Sequence, residues 1–361
     1  MSTAEFAAVG AESAPRTMPA PWTMVRRCAL VLYAVALVAY TANYGVPVQR
    51  ELVIAWTCGA LICVSIGRPL REIWQLFLDW LPLVAILAVY DLTRGAADSM
   101  GIGVHFWPMI DFDRFVFFGE TPTEWLQAHL YRPGAVMWWD VAFTLVYTSY
   151  FIVPFAVAGV LWSRDRRSFL QFTRRLLSLA LAGLATYILF PAAPPWMAGE
   201  QGLLGEVHRT TGKGWEILSV GTSGIFEKGQ EGVNLVAAVP SLHTAFVALV
   251  AMFLWSRVRP AWRPLLALYP VAMGLTLMAT GEHYFFDVLL GWIYAGAVMA
   301  VWAWWEGRKA GGWSWGGRGA PPQNARQEPR LSVLGRGTPS SLDSTQALTS
   351  EPPAEALPPD P

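Results

Sequence analysis

The chain of 361 residues carries 26 Lys plus Arg against 26 Asp plus Glu, is 54% hydrophobic and 13% aromatic, and holds only 14% charged residues. That charge content lies far below the roughly 25% of an ordinary soluble domain, and a net charge of zero without basic blocks leaves no electrostatic footprint for nucleic acid. The three cysteines, Cys28, Cys58 and Cys63, sit in apolar runs without CxxC spacing, so neither a disulfide framework nor a cysteine metal site is expected.

Residues 1–23 hold Glu5 and Glu12 among Ala and Pro, with no basic start ahead of an apolar core. They are expected to be a disordered segment and not a cleavable signal peptide. Apolar stretches close to the ~20 residues needed to cross a bilayer follow at 26–43, 52–66, 73–90, 137–162, 169–190, 239–255, 265–280 and 286–305. The expected fold is therefore all-α: a polytopic membrane helical bundle of about eight transmembrane helices. Residues 24–72 would supply two extra helices ahead of a six-helix core within 73–306. Between the third and fourth stretches, 121–131 reads as a short interfacial helix capped by Thr121 or Thr123. From 307 to 361 the composition turns to Gly, Pro, Ser, Gln and Arg, as in a disordered cytoplasmic tail.

Basic residues supply an orientation, because cytoplasmic connections hold the Arg and Lys excess. With both termini inside, the inner side collects Arg26, Arg27, Arg68, Arg71, Arg164, Arg166, Arg167, Arg174, Arg175, Arg257, Arg259, Arg263, Arg308 and Lys309. The outer side receives half as many: Arg50, Arg94, Arg114, Arg132, Arg209, Lys213 and Lys228. Only three of the 26 basic residues are lysine, and Ala, Gly, Pro and Trp are abundant, which suits a GC-rich bacterial genome; the expected location is the bacterial plasma membrane.

Three polar constellations then fall on the outer side, where ionisable groups need a reason to be. The run Phe190, Pro191, Ala192, Ala193, Pro194, Pro195, Trp196 ends the fifth stretch as a rigid exit, since successive prolines cannot continue a helix. Pro240, Ser241, Leu242, His243 opens the sixth, with Pro240 expected at or near the first helical position. In Gly281, Glu282, His283, Tyr284, Phe285, Phe286, Asp287, a helix would put His283 and Asp287 on one face at i and i+4. A carboxylate there fixes the tautomer of the ring and leaves its other nitrogen as a base or nucleophile.

The Pro240–His243 block resembles the second signature of the type 2 phosphatidic acid phosphatase superfamily, and Gly281–Val288 with Gly291 resembles the third. The Phe-Pro-Ala-Ala-Pro-Pro-Trp block and the His-Tyr-x-x-Asp form are most similar to the branch containing fungal inositol phosphorylceramide synthase, an inositolphosphotransferase, with sphingomyelin synthases more distantly similar. The resemblance implies a lipid phosphate or phospholipid substrate, no metal and no cofactor. His283 would attack phosphorus and form a phosphohistidine, Asp287 would orient it, and His243 would protonate the departing oxygen. Ser241, Pro194 and Trp196 would line the substrate. Other branches carry Lys and Arg in the first motif and commonly Arg before the third-motif histidine, whereas Thr280, Gly281 and Glu282 stand there in this chain. Arg94 and Arg114 are accordingly the favoured phosphate-binding cations, with Arg209 and Lys213 behind them.

The leading expectation is a lipid phosphotransferase or, with water as acceptor, a lipid phosphate or polyprenyl diphosphate phosphatase. Two alternatives use the same residues differently. A proton-coupled transporter or lipid translocase would make His243, His283 and Asp287 a relay, although transporter sites lie near mid-membrane. A zinc hydrolase would make them ligands, although no nearby Glu or Cys completes a recognised set.

Overall fold

The computed structural model describes residues 20–44, 50–99, 103–216 and 236–310. They form helices α1 (Ala20–Tyr44), α2 (Arg50–Ser65), α3 (Leu70–Ser99), α4 (Trp107–Val116), α5 (Pro122–Leu130), α6 (Trp138–Arg164), α7 (Arg166–Leu189), α8 (Pro195–Glu200), α9 (Leu242–Leu254), α10 (Arg263–Ala279) and α11 (Phe285–Ala310), with no strand among the described residues. Each of the eight expected stretches coincides with a helix. Four of these are long and apolar enough to cross a membrane by length and composition: Pro21–Thr41, Trp138–Arg164, Arg166–Leu189 and Phe285–Arg308. The shorter α9 is equally apolar, and α3 carries charged residues along its 30. The expected disordered segments, 1–19 of the first and 311–361 of the second, lie outside the described residues.

The core follows from which faces of these helices meet. Phe169, Phe172 and Leu179 of α7 are fully buried against Leu249 and Phe253 of α9, Leu76 of α3 and Ala295 of α11. Phe172 and Phe253 pack edge to face, with ring centroids 5.1 Å apart. The outer faces stay apolar and bare: Leu181, Leu189, Ile293, Val301, Leu268 and Leu275 are all exposed, as lipid-facing side chains are. Lipid tails are as apolar as leucine, so tight backbone approach has to hold helices together in a membrane. Gly291 of α11 supplies it, because a Cβ there would stand 2.5 Å from the Ser241 carbonyl at the start of α9.

Chain direction sorts the two ends of the bundle. α7 and α10 finish, and α6, α9 and α11 begin, at the end that gathers His243 and His283. Arginine dominates the opposite end. There Arg166 forks onto Asp79 of α3 (2.7 and 2.6 Å) and the buried Arg175 onto Glu306 of α11 (3.1 and 2.6 Å).

Between α3 and α6, two amphipathic helices lie across the histidine end. Phe115 of α4 and Phe118 just beyond its end point outward, the latter 99% exposed. α5 is capped by Thr121, as one of the two expected caps, in a capping box with Glu124. The proline-rich exit after α7 is extended: Ala193 N–H donates to the His105 carbonyl (3.0 Å), and Ala192 exchanges backbone hydrogen bonds with Val236 and Ala238. This anchors the segment that leads into α9.

Candidate active site

Ser241 is the N-cap of α9, its hydroxyl accepting the Thr244 amide. The helix thus starts at Leu242, and Pro240 precedes the cap instead of occupying the first helical position. His243 follows in the first turn. Its ring is framed by Tyr150 and Tyr147 of α6, at centroid distances of 4.3 and 5.1 Å, and by His283 at 5.6 Å.

His283 does not lie on a helix. α11 begins two residues later, and His283 occupies the turn between α10 and α11. The contact expected from helical spacing still forms, Nδ1 to Asp287 Oδ2 at 3.2 Å, because Asp287 folds back to accept the Tyr284 amide with the same oxygen (3.0 Å). The Asp287 carbonyl accepts the Ser241 N–H (3.1 Å), locking the start of α9 to the start of α11. Two helix N-termini therefore converge beside the histidines, which favours an anion there.

The turn itself is clamped from outside. Gly281 has φ +76° and leaves no room for a Cβ, which would meet the His208 carbonyl at 2.7 Å. Gln127 of α5 donates to the carbonyls of His208 (2.7 Å) and Ala279 (3.1 Å) and accepts from the His208 amide (2.8 Å). Asp113 of α4, fully buried, accepts the Phe285 and Phe286 amides at 2.9 Å each and so caps α11 from another helix. Trp196 ties the proline-rich block to the same turn through its amide on the Gly281 carbonyl (3.0 Å).

Burial sets the electrostatics. It pushes His283 down to about 4, with Glu282 and the Ala238 backbone opposing and Arg209 adding to the depression, so the ring is a neutral imidazole near pH 7. Burial also lifts the Asp113 carboxyl to about 7 against its two amide donors. At Glu282 burial works against the carboxylate, but the charge and hydrogen bonds of Arg209, helped by Thr211, hold its pKa below the ordinary range.

The expected substrate residues fare unequally. Trp196 lies beneath Arg209, with the guanidinium 5.2 Å from its ring. Pro194 is buried as the N-cap of α8, and the fully buried Ser241 hydroxyl serves as a helix cap. Arg114 pairs with Glu124 of α5 at 3.7 Å, and Lys213 is held by Asp140 (3.6 Å) and the Arg132 carbonyl (2.8 Å). Arg94 falls on α3, its side chain outside the described residues. Arg209 instead reaches the turn, forking onto Glu282 with Nε–Oε1 2.8 Å and Nη2–Oε2 3.2 Å. Asp113, Gln127, Tyr147 and Tyr150 were not legible as site residues. Asp113 acts across more than 170 residues, Tyr147 and Tyr150 across more than 90, and Gln127 on a loop and a helix end 81 and 152 residues on, and only the Glu282 position beside a histidine offered a local signal. No cluster of three or more His, Cys, Asp or Glu among the described residues is arranged to hold a metal ion.

The sequence profile described as the PAP2 superfamily matches residues 108–301, more than half of the chain. A phosphoinositol dihydroceramide synthase of Bacteroides thetaiotaomicron is 32% identical over 181 residues, which cover 47% of this chain and 56% of that protein. The chain thus spans about half the length of this curated relative. No solved structure matches it.

Proposed function

The chain belongs to the PAP2 superfamily, and we propose that it is an integral membrane lipid phosphotransferase moving a phospho-head group between a lipid and an alcohol. The observation that carries this reading is the meeting of His243 and His283, ring centroids 5.6 Å apart, with Asp287 on Nδ1 of His283 at 3.2 Å. With the Nδ1 proton held by Asp287, Nε2 of His283 carries the lone pair that attacks phosphorus. A P–N bond forms as the P–O bond to the leaving alcohol breaks, and His243 delivers a proton to the departing oxygen. His243 then takes the proton of the acceptor hydroxyl, whose oxygen attacks phosphorus and releases His283. Asp287 compensates the positive charge that the ring carries while bonded to phosphorus. No step requires a metal.

The similar Bacteroides protein is named for phosphoinositol dihydroceramide. Carried to this chain, that name makes phosphoinositol the cargo and a ceramide-class lipid alcohol the acceptor. The arginine distribution supports eight spans with both termini cytoplasmic and the histidine end at the outer leaflet. The core of six helices would then lie within 73–306, with two further helices before it.

Product analysis by mass spectrometry tests the reading, using purified protein in detergent with mixed phospholipids and lipid alcohols, chelator present. Head-group-exchanged lipid is expected from the unaltered protein and none from His283→Ala, which should still insert and purify as a folded protein. Full activity in His283→Ala would sink the mechanism, and free phosphate without exchanged lipid would replace the transferase by a phosphatase.

A further inference from the structure

We propose that Arg209 is the cation that receives the transferring phosphate, held ready by Glu282 and Trp196. The proposal rests on the phosphotransfer reading and fills the place that the first and third motifs leave without a cation. An acid immediately before the attacking histidine is hostile to an anionic substrate unless its charge is cancelled. Here the cancelling charge comes from the loop after α8: Nε and Nη2 of Arg209 fork onto Glu282, at 2.8 and 3.2 Å, and Thr211 donates to the same carboxylate. Nη1 lies outside that fork. The side chain of Arg209 is a quarter exposed while that of Glu282 is only 10% exposed, so the guanidinium is the reachable member of the pair.

Location favours it over the other described cations at this end. Arg114, Arg132 and Lys213 pair with groups outside the turn that carries His283: Glu124 of α5, the Tyr131 carbonyl and Asp140 of α6. Arg209 alone of these pairs with a residue of the turn itself, Glu282, immediately before His283. Its planar group lies over Trp196, 5.2 Å from the centroid, which restricts its rotation. A buried ion pair contributes little net stability, since desolvation offsets its attraction. A bidentate guanidinium near a reacting phosphoryl group, in contrast, stabilises charge that develops in transfer. Glu282 is a positioning residue, and a phosphate monoester or diester is the ligand class.

The test titrates inorganic phosphate into the full-length protein in detergent micelles by calorimetry, with lipid turnover measured in parallel. Arg209→Gln is expected to weaken phosphate binding about tenfold or more and to lower kcat/KM for lipid. Glu282→Gln should tighten phosphate several-fold, because it removes a competing anion while leaving the guanidinium in place. Equal losses from the two variants would make the pair a structural bridge and overturn the proposal, as would Arg209→Gln binding phosphate like the unaltered protein. Should Arg209→Gln not purify, Glu282→Gln decides alone: weaker phosphate binding in this near-isosteric variant contradicts the assignment. Loss of phosphate affinity with unchanged lipid kinetics would describe a site for free phosphate only and overturns it for the head group. Arg209-dependent phosphate binding in a protein that turns over no lipid would keep Arg209 as the anion ligand and remove the transferase reading.

Discussion

His283 shows how burial selects a protonation state. Its pKa of about 4 lies below the ordinary 6.5, so the unfolded chain binds a proton that the folded protein refuses between those values. The stability it permits is complete above pH 6.5 and is lost as pH falls towards 4. We expect nitrogen-15 NMR, assigned with His283→Gln, to show a neutral ring down to pH 5; titration near 6.5 would mean an exposed residue and a different resting state. This pairing with Asp287 was legible in the sequence because the two stand four residues apart. The reason differs from the expected helix: the carboxylate reaches back over the first turn of α11, and His283 stays in the loop. The sequence alone places Arg209 behind Arg94 and Arg114, because separation along the chain says nothing about which loop folds over the turn.

At the scale of elements, α4 acts as a clasp on the start of α11. Phe112 meets Phe286 and Phe117 meets Phe285, with centroids 5.0 and 5.2 Å apart, around the two amides that Asp113 accepts. Asp113→Ala leaves two part-buried N–H groups unpaired, an expected cost of about 1 to 3 kcal/mol. It should also lower turnover about ten- to a hundredfold by loosening His283 and Asp287. Thermal unfolding in detergent and initial rates check the two effects. The pH trend of this group runs opposite to that of His283. Its folded pKa of about 7 exceeds the ordinary 3.8, so its contribution is fully present below pH 3.8 and is lost as pH rises towards 7. The difference in stability between the unaltered protein and Asp113→Asn should therefore change across that window, and a flat difference would refute it. The capping of α5 by Thr121 was legible because cap and helix are contiguous, whereas the cap of α11 comes from a residue more than 170 positions away.

For the whole molecule, the antiparallel passage of the helices separates an arginine end from a histidine end, and the bilayer gives that separation a direction. With the native cysteines replaced, Ala135→Cys in the α5–α6 connection is expected to react with an impermeant maleimide in intact cells. Ser256→Cys, after α9, should react only once the membrane is opened. The reverse pattern would turn the protein over and move its substrate to the inner leaflet. Hydrophobic stretches and short spacings alone determined a helical membrane protein, the location of its eight longest helices and the closeness of His283 to Asp287, because hydropathy and short spacings are local properties of the chain. Tertiary structure decided where α11 begins, which acid caps it, and which arginine pairs with the acid before His283. Those outcomes depend on α4 and the loop after α8 folding over the end of the bundle, and contacts across such distances leave no periodicity in a sequence.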